Sequence, residues 1–278
     1  MFSVTNASFD SQFFRNPSIA GVELRVVDGQ RQEWGFYSQA YQIVFSRSWS
    51  GKVWHRREHR QWSADTVLVT APGQLVLTQG HNPGIIACLT ISAELMSQVL
   101  SPEQLATFEA GAELELSPAS FTALCELQDN SGLWRYPEQI RACLEAVAMG
   151  LRLGRVGAPR KAKARRAAAD AVISQIDVEE AVSLDLQALS SHTGTSRFAA
   201  LRAFKRYFGL PPHTFQLQMR VDQAQVGLRA GHTPAQVAVD CGFFDQSHLT
   251  RHFKRILGTT PAQYARGHVP AVAFGIAR

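Results

Sequence analysis

Apolar and polar positions follow a period of two through the first third of the chain and a helical period later. The run Gly21-Val22-Glu23-Leu24-Arg25-Val26-Val27 alternates and stops at Asp28-Gly29, a turn signal. Further strand-like runs are Tyr41 to Phe45, Gly51 to His55, Thr66 to Thr70, Gln74 to Thr78 and Ile85 to Ile91. Short strands at such intervals predict an antiparallel sandwich or small barrel. After Ser92 the pattern is helical. Pro137 to Leu153 puts Ile140, Cys143, Leu144, Val147 and Leu151 on one helix face. That face either covers the barrel or pairs with a second subunit.

The last third contains an internal repeat at an offset of 49 residues. Phe204-Lys205-Arg206 recurs as Phe253-Lys254-Arg255. Arg202 meets Arg251, Gly209 meets Gly258, Pro212 meets Pro261 and Phe215 meets Tyr264. Ser196 and Asp245, both good N-cap residues, also correspond. In the first copy, Asp185 to His192 is a short helix, Thr193-Gly194-Thr195 a turn, and Ser196 caps a helix to Phe208 that Gly209 ends. In the second, Thr233-Pro234 opens a helix to Asp240, Cys241 to Phe244 turns, and Asp245 caps a helix to Leu257 that Gly258 ends. Short helix, tight turn and second helix make a helix-turn-helix, present twice. Between the copies, Leu217, Val221, Ala224 and Leu228 form the stripe of one helix from about Pro212 to Arg229.

The core stripes are Ala200, Phe204 and Phe208 in the first copy, and Leu249, Phe253 and Ile256 or Leu257 in the second. Arg197, Phe198, Leu201, Arg202 and Lys205 then face outward, as do Gln246, Ser247, Thr250, Arg251 and Lys254. Such groups contact phosphates and base edges, and Phe198 and Leu201 suit thymine methyls.

Charge sharpens this picture. The 278 residues carry a net charge of +5. Up to residue 159 there are 12 Lys/Arg against 15 Asp/Glu; beyond it, 16 against 8. A weakly acidic part is joined to a basic part, which favours an anionic partner for the latter, nucleic acid above all. The junction, 154–166, mixes Gly and Pro with six basic residues and reads as an exposed linker. Domains are expected at 1–153 and 167–278. The chain is 45% hydrophobic and 18% charged, which excludes a disordered protein. Cys88, Cys125, Cys143 and Cys241 are scattered without C-x-x-C spacing, so neither a disulfide framework nor structural zinc is expected. Met1 to Asp10 lacks the basic and apolar regions of a signal peptide, and the apolar stretch 66–92 is broken by turn residues. A cytoplasmic protein is expected, at the nucleoid when bound to DNA.

His55-Arg56-Arg57-Glu58-His59 fits the H-x-x-E-H pattern of some zinc peptidases, but that chemistry needs a helix. The segment lies among strand-like runs, so no metal and no cofactor is expected. The aromatic density of residues 34–62 suits a barrel core or a barrel-mouth ligand pocket. Trp34, Tyr41, Trp54, His55 and Arg56 are the candidate pocket residues.

Gly242 to Arg255, followed by Gly258, Pro261 and Tyr264, closely resembles the signature of the AraC/XylS family of bacterial transcription regulators. Ser196, Arg202 to Lys205 and Gly209 resemble that family's first helix-turn-helix. Ala200 stands where the family more often has a larger apolar residue. The resemblance covers about 165–267 and is much looser upstream. It implies an α+β chain of two domains: a cupin-like β-barrel with following helices, then an all-α domain with two helix-turn-helix motifs. It further implies a non-enzymatic, sequence-specific DNA-binding regulator, with a small-molecule effector in the barrel. A homodimer is implied, as is contact with RNA polymerase for an activator. Alternatives are a constitutive regulator whose first domain only dimerises, and a cupin enzyme carrying a DNA-targeting domain. The apolar tail Val269 to Ile276 has no assigned role.

Overall fold

The computed structural model describes residues 11–15, 19–28, 33–55, 58–62, 67–82, 84–103, 105, 113–114, 121–122, 124–126, 142, 187, 190–191, 194 and 196–267. Apart from single positions, the expected helix 137–153, the linker 154–166, the short helix 185–192 and the tail 269–276 lie outside the described residues, as does Arg56.

Among the described residues, ten strands precede the helical domain: β1 (Ser11–Arg15), β2 (Val22–Asp28), β3 (Glu33–Ser38), β4 (Tyr41–Phe45), β5 (Gly51–His55), β6 (Glu58–Trp62), β7 (Val67–Thr70), β8 (Gln74–Gly80), β9 (Ile85–Ile91) and β10 (Glu113–Leu114). Helix α1 (Ala93–Val99) follows β9. The strands form two antiparallel sheets, ordered β1-β2-β9-β4-β7-β10 and β3-β8-β5-β6. Neither sheet closes on itself among the described residues, so the closed cupin-like barrel gives way to an open sandwich. The edges β1 and β10, and β3 and β6, stay unpaired with one another.

Alternation along each strand decides what lies between the layers. Val44, Leu68, Ile86 and Cys88 of the larger sheet meet Phe36, Val53, Trp62 and Val76 of the smaller one. The larger sheet's other face, with Leu24, Ile43, Phe45, Val69, Leu89 and Ile91, is covered by Met96, Leu100, Phe121 and Leu124. The smaller sheet's other face carries Tyr37, Leu75 and Leu77, and the C-terminal domain covers these.

Among the described residues, that domain contains α2 (Arg197–Phe208), α3 (Pro212–Arg229), α4 (Pro234–Asp240), α5 (Gln246–Leu257) and α6 (Pro261–Arg266). Its helices begin and end where the caps predict. Ser196 accepts from the Ala199 N–H, Asp245 from the His248 N–H, and Thr233 forms a capping box with Gln236. Gly209 and Gly258 end α2 and α5 with φ of 76° each. One stripe of α3, Leu217, Val221, Ala224 and Leu228, packs against Val237, Leu249 and Phe253. Phe215 and Met219 of the same helix pack with Phe204, Leu210 and Tyr37. The connecting helix therefore belongs to both helix-turn-helix cores.

A polar seam joins the domains beside this apolar contact. Glu23, only 6% exposed, accepts from Tyr264 Oη at 2.9 Å and pairs with Arg15 and Arg229. Asp222 accepts from the Gln39 N–H at 3.0 Å, and its burial raises the carboxyl to about 6.

Gly209 sits at the contact between domains. A Cβ there would lie 2.5 Å from Leu77 Cδ1 and 2.9 Å from Trp54 Nε1, on a positive-φ backbone. Gly231, at φ +89°, has nothing within 4 Å. Gly209→Ala should cost about 1–3 kcal/mol more than the strain shared by both sites. Urea unfolding of the two variants checks this: equal losses of stability would contradict the packing described.

Candidate nucleic-acid interface

The two recognition candidates α2 and α5 each turn an apolar stripe inward. Ala200, Phe204, Leu249 and Phe253 are at most 1% exposed. The opposite faces carry the residues expected to reach DNA. Arg197, Phe198 and Arg202 are exposed on α2, with Leu201 and Lys205 half-buried. Gln246, Ser247, Arg251 and Lys254 are exposed on α5, with Thr250 half-buried and donating its hydroxyl to the Gln246 backbone oxygen at 2.8 Å. The structure thus brings each predicted set onto one helix face, in two copies. Arg197 already holds Gln187 Oε1 at 2.7 Å.

The turn before α5 is fixed from several sides. Arg220 on α3 donates to the Gly242 backbone oxygen at 2.7 Å, and the Phe243 N–H donates to the Ala238 oxygen at 2.8 Å. His248 Nδ1 accepts from the Phe244 N–H at 3.2 Å. Phe244, outside the set expected to reach DNA, is 91% exposed immediately before the cap Asp245. Its neighbour Phe243 is buried, and the pair reads as one apolar step in a turn, so only the three-dimensional path separates them. Phe198, at 75% exposure, is the comparable aromatic of the first copy.

Two of the residues expected to line a barrel pocket, Tyr41 and Trp54, lie in different cores. Tyr41 is buried in the core beneath α1, whereas Trp54 packs toward α2 and Gly209. Trp34 and His55 lie on β3 and β5. The H-x-x-E-H run is divided between β5 and β6, where His55 pairs with Glu58 and Trp54 with His59. Cys88 is deep in the sandwich, where burial pushes its thiol up to about 12, the opposite of nucleophile activation. An opening lies elsewhere. A groove of about 710 Å3 follows the seam between the domains, with Arg15, Arg229 and Arg266 beside Ile19, Val22 and Val226. Small-molecule sites span roughly 300–1,000 Å3. Among the described residues, no helix is long and apolar enough to cross a membrane.

Residues 189–267 match a family model described as a helix-turn-helix domain. An uncharacterized HTH-type transcriptional regulator of Bacillus subtilis, YbfI, is 40% identical over 69 residues, 25% of either chain. The match thus spans about a quarter of that relative's length. Among solved structures, apo ToxT from Vibrio cholerae aligns over 91% of this chain and 99% of its own, with 14% identity and a TM-score of 0.49. A probable AraC family transcriptional regulator from Rhodopseudomonas palustris aligns over 34% of this chain and 95% of its own, with 24% identity and a TM-score of 0.32.

On α5, His252 is buried beside Arg255, whose Nη2 lies 2.9 Å from its Nδ1. Burial, then Arg255, His248 and Arg251, lower its pKa from 6.5 to about 4. The unfolded chain therefore takes up a proton on acidification before the folded one does. The stability this residue contributes is complete above pH 6.5 and is lost as pH falls toward 4. Unfolding of wild type and His252→Gln across this range should show the difference between them shrinking as pH falls. A constant difference would contradict a neutral, buried His252.

Proposed function

We propose that this chain, whose C-terminal domain is of the AraC/XylS helix-turn-helix type, is a sequence-specific DNA-binding regulator of transcription. The observation that carries the reading is the duplicated head. Two helices with matched caps, matched C-terminal glycines and outward basic faces share one connecting helix. The 18 residues of α3 make a spacer about 27 Å long at 1.5 Å per residue. Helices reading successive major grooves on one face of DNA stand about 34 Å apart, the same order of size. In this reading Arg197, Phe198, Leu201, Arg202 and Lys205 address one segment, and Gln246, Ser247, Thr250, Arg251 and Lys254 the next. Phe244 joins the second set as an apolar contact.

Effector control belongs to the same reading. A small organic anion with an apolar portion suits the seam groove, where Arg15, Arg229 and Arg266 against the one carboxylate of Glu23 leave a positive balance and Ile19, Val22 and Val226 supply apolar surface. The groove touches both domains, so a ligand there has different contacts in docked and undocked arrangements, as coupling requires. Homodimer formation through the first domain, and contact with RNA polymerase if the chain activates, follow from the family resemblance.

Selection from random duplex DNA at physiological salt tests the reading. The expected product is a bipartite motif with halves about one helical turn apart; recovery of unselected, purely salt-sensitive binders would refute it. Arg251→Ala should cost about 1–3 kcal/mol on the selected site and relax base choice there, while Lys254→Ala should weaken binding evenly across sequences. Competition titrations against single-base variants of the site separate the two patterns. Across a panel of small organic acids, a binder present at 100 times its Kd should stabilise the chain by about 2.7 kcal/mol, and Arg266→Ala should reduce the effect.

A further inference from the structure

The two heads meet the sandwich through different chemistry. The first is seated on the smaller sheet by apolar contact, with Tyr37 and Leu77 against Phe204 and Phe215. The second meets β2 through hydrogen bonds. Arg25 Nη2 donates to the backbone oxygens of Ile256 and Leu257 at 3.4 and 3.3 Å. These oxygens lie in the last turn of α5, where a helix leaves its carbonyls without internal partners. The guanidinium also faces the negative end of that helix. Gly258 closes the helix locally through its own N–H, so Arg25 is an additional cap supplied by another domain.

Two residues earlier, on the same face of β2, Glu23 accepts from Tyr264 Oη of α6 and pairs with Arg229 at the end of α3. The contacts of α3 with Leu249 and Phe253 are apolar, and such contacts set proximity more than direction. Hydrogen bonds are directional. Those that reach the last turn of α5 come from Arg25 of β2, and Tyr264 of α6 is held by Glu23 of β2 together with Arg15 of β1, which donates to its backbone oxygen at 3.1 Å.

We propose that Arg25 and Glu23 are positioning residues of the second head: β2 fixes the direction of α5 relative to α2, and with it the half-site spacing that the chain accepts. The proposal rests on the reading of α2 and α5 as paired DNA readers. One base pair of added spacer shifts a half-site by about 3.4 Å and rotates it by about 35°, so a fixed direction of α5 makes spacing costly to change.

The test uses the full-length chain as wild type, Arg25→Ala, Arg25→Lys and Glu23→Gln. Hydrogen exchange without DNA reports the contact, and affinities for selected duplexes with one base pair added or removed between half-sites report its consequence. In Arg25→Ala, amides of the last turn of α5 and of α6 should exchange about tenfold faster, with α2 unchanged. A spacer change that weakens wild type about tenfold should weaken Arg25→Ala by about threefold or less, with Arg25→Lys intermediate. Unchanged exchange overturns the proposal. So does faster exchange with the wild-type spacing profile, which would make Arg25 a merely stabilising contact. A wild-type chain that distinguishes no sequences overturns the paired-reader reading, and this proposal with it. A wild-type profile retained by Arg25→Ala and Glu23→Gln overturns this proposal alone.

Discussion

Strand β8 is apolar on both faces, and the arrangement of the two domains depends on that fact. Val76 points into the sandwich while Leu75 and Leu77 point out of it. A sheet with two apolar faces needs two covers. The larger sheet is one, and the helical domain is the other, through Phe204, Phe215 and Met219. Burying each side chain of this size contributes about 1.5–3 kcal/mol, so lifting the helices off would expose several such groups at once. The helical domain is therefore part of the packing of the first domain and is not simply tethered to it.

The polar seam works differently. Glu23, Arg25, Asp222 and Tyr264 are buried, Arg15 is half-buried and Arg229 lies at their exposed edge, and each is useful only while its partners stay in place. Removing one partner leaves another charge buried, which is costly, whereas the intact network adds little over an apolar contact of the same size. Such a seam specifies one relative orientation of the domains more than it adds stability. A ligand that binds beside it, in contact with Arg15 and Arg229, meets the groups that hold α3 and α6 against β2.

Much of this was legible in the sequence. The helical domain follows from local chemistry: Ser196, Thr233 and Asp245 are caps, Gly209 and Gly258 are stops, and the apolar stripes obey the helical period. Strands β4, β5 and β9 fall at the expected residues, because β4 and β9 are largely apolar runs bounded by turns and β5 carries the strand formers Val53 and Trp54. Strands β1, β3 and β6 were not expected; all three mix polar and aromatic residues, and all are sheet edges. The strand pattern left a sandwich and a small barrel as alternatives and the family resemblance favoured a cupin-like barrel; among the described residues neither sheet closes on itself. The seam was not legible. Glu23 and Arg25 alternate with Leu24 and Val26 as the polar side of an ordinary half-exposed strand does, and their partners on α5 and α6 lie more than 230 residues away. Trp54 suggested a ligand pocket, yet it sits under the helix stop at Gly209.

Hydroxyl-radical footprinting of the full-length chain on its selected duplex tests the central claim most directly. Two heads on one connecting helix should protect two backbone patches on the same face of the DNA, about one helical turn apart. Arg202→Ala should fade one patch and Arg251→Ala the other. A single patch, or two that fade together with either substitution, would contradict two separate reading heads.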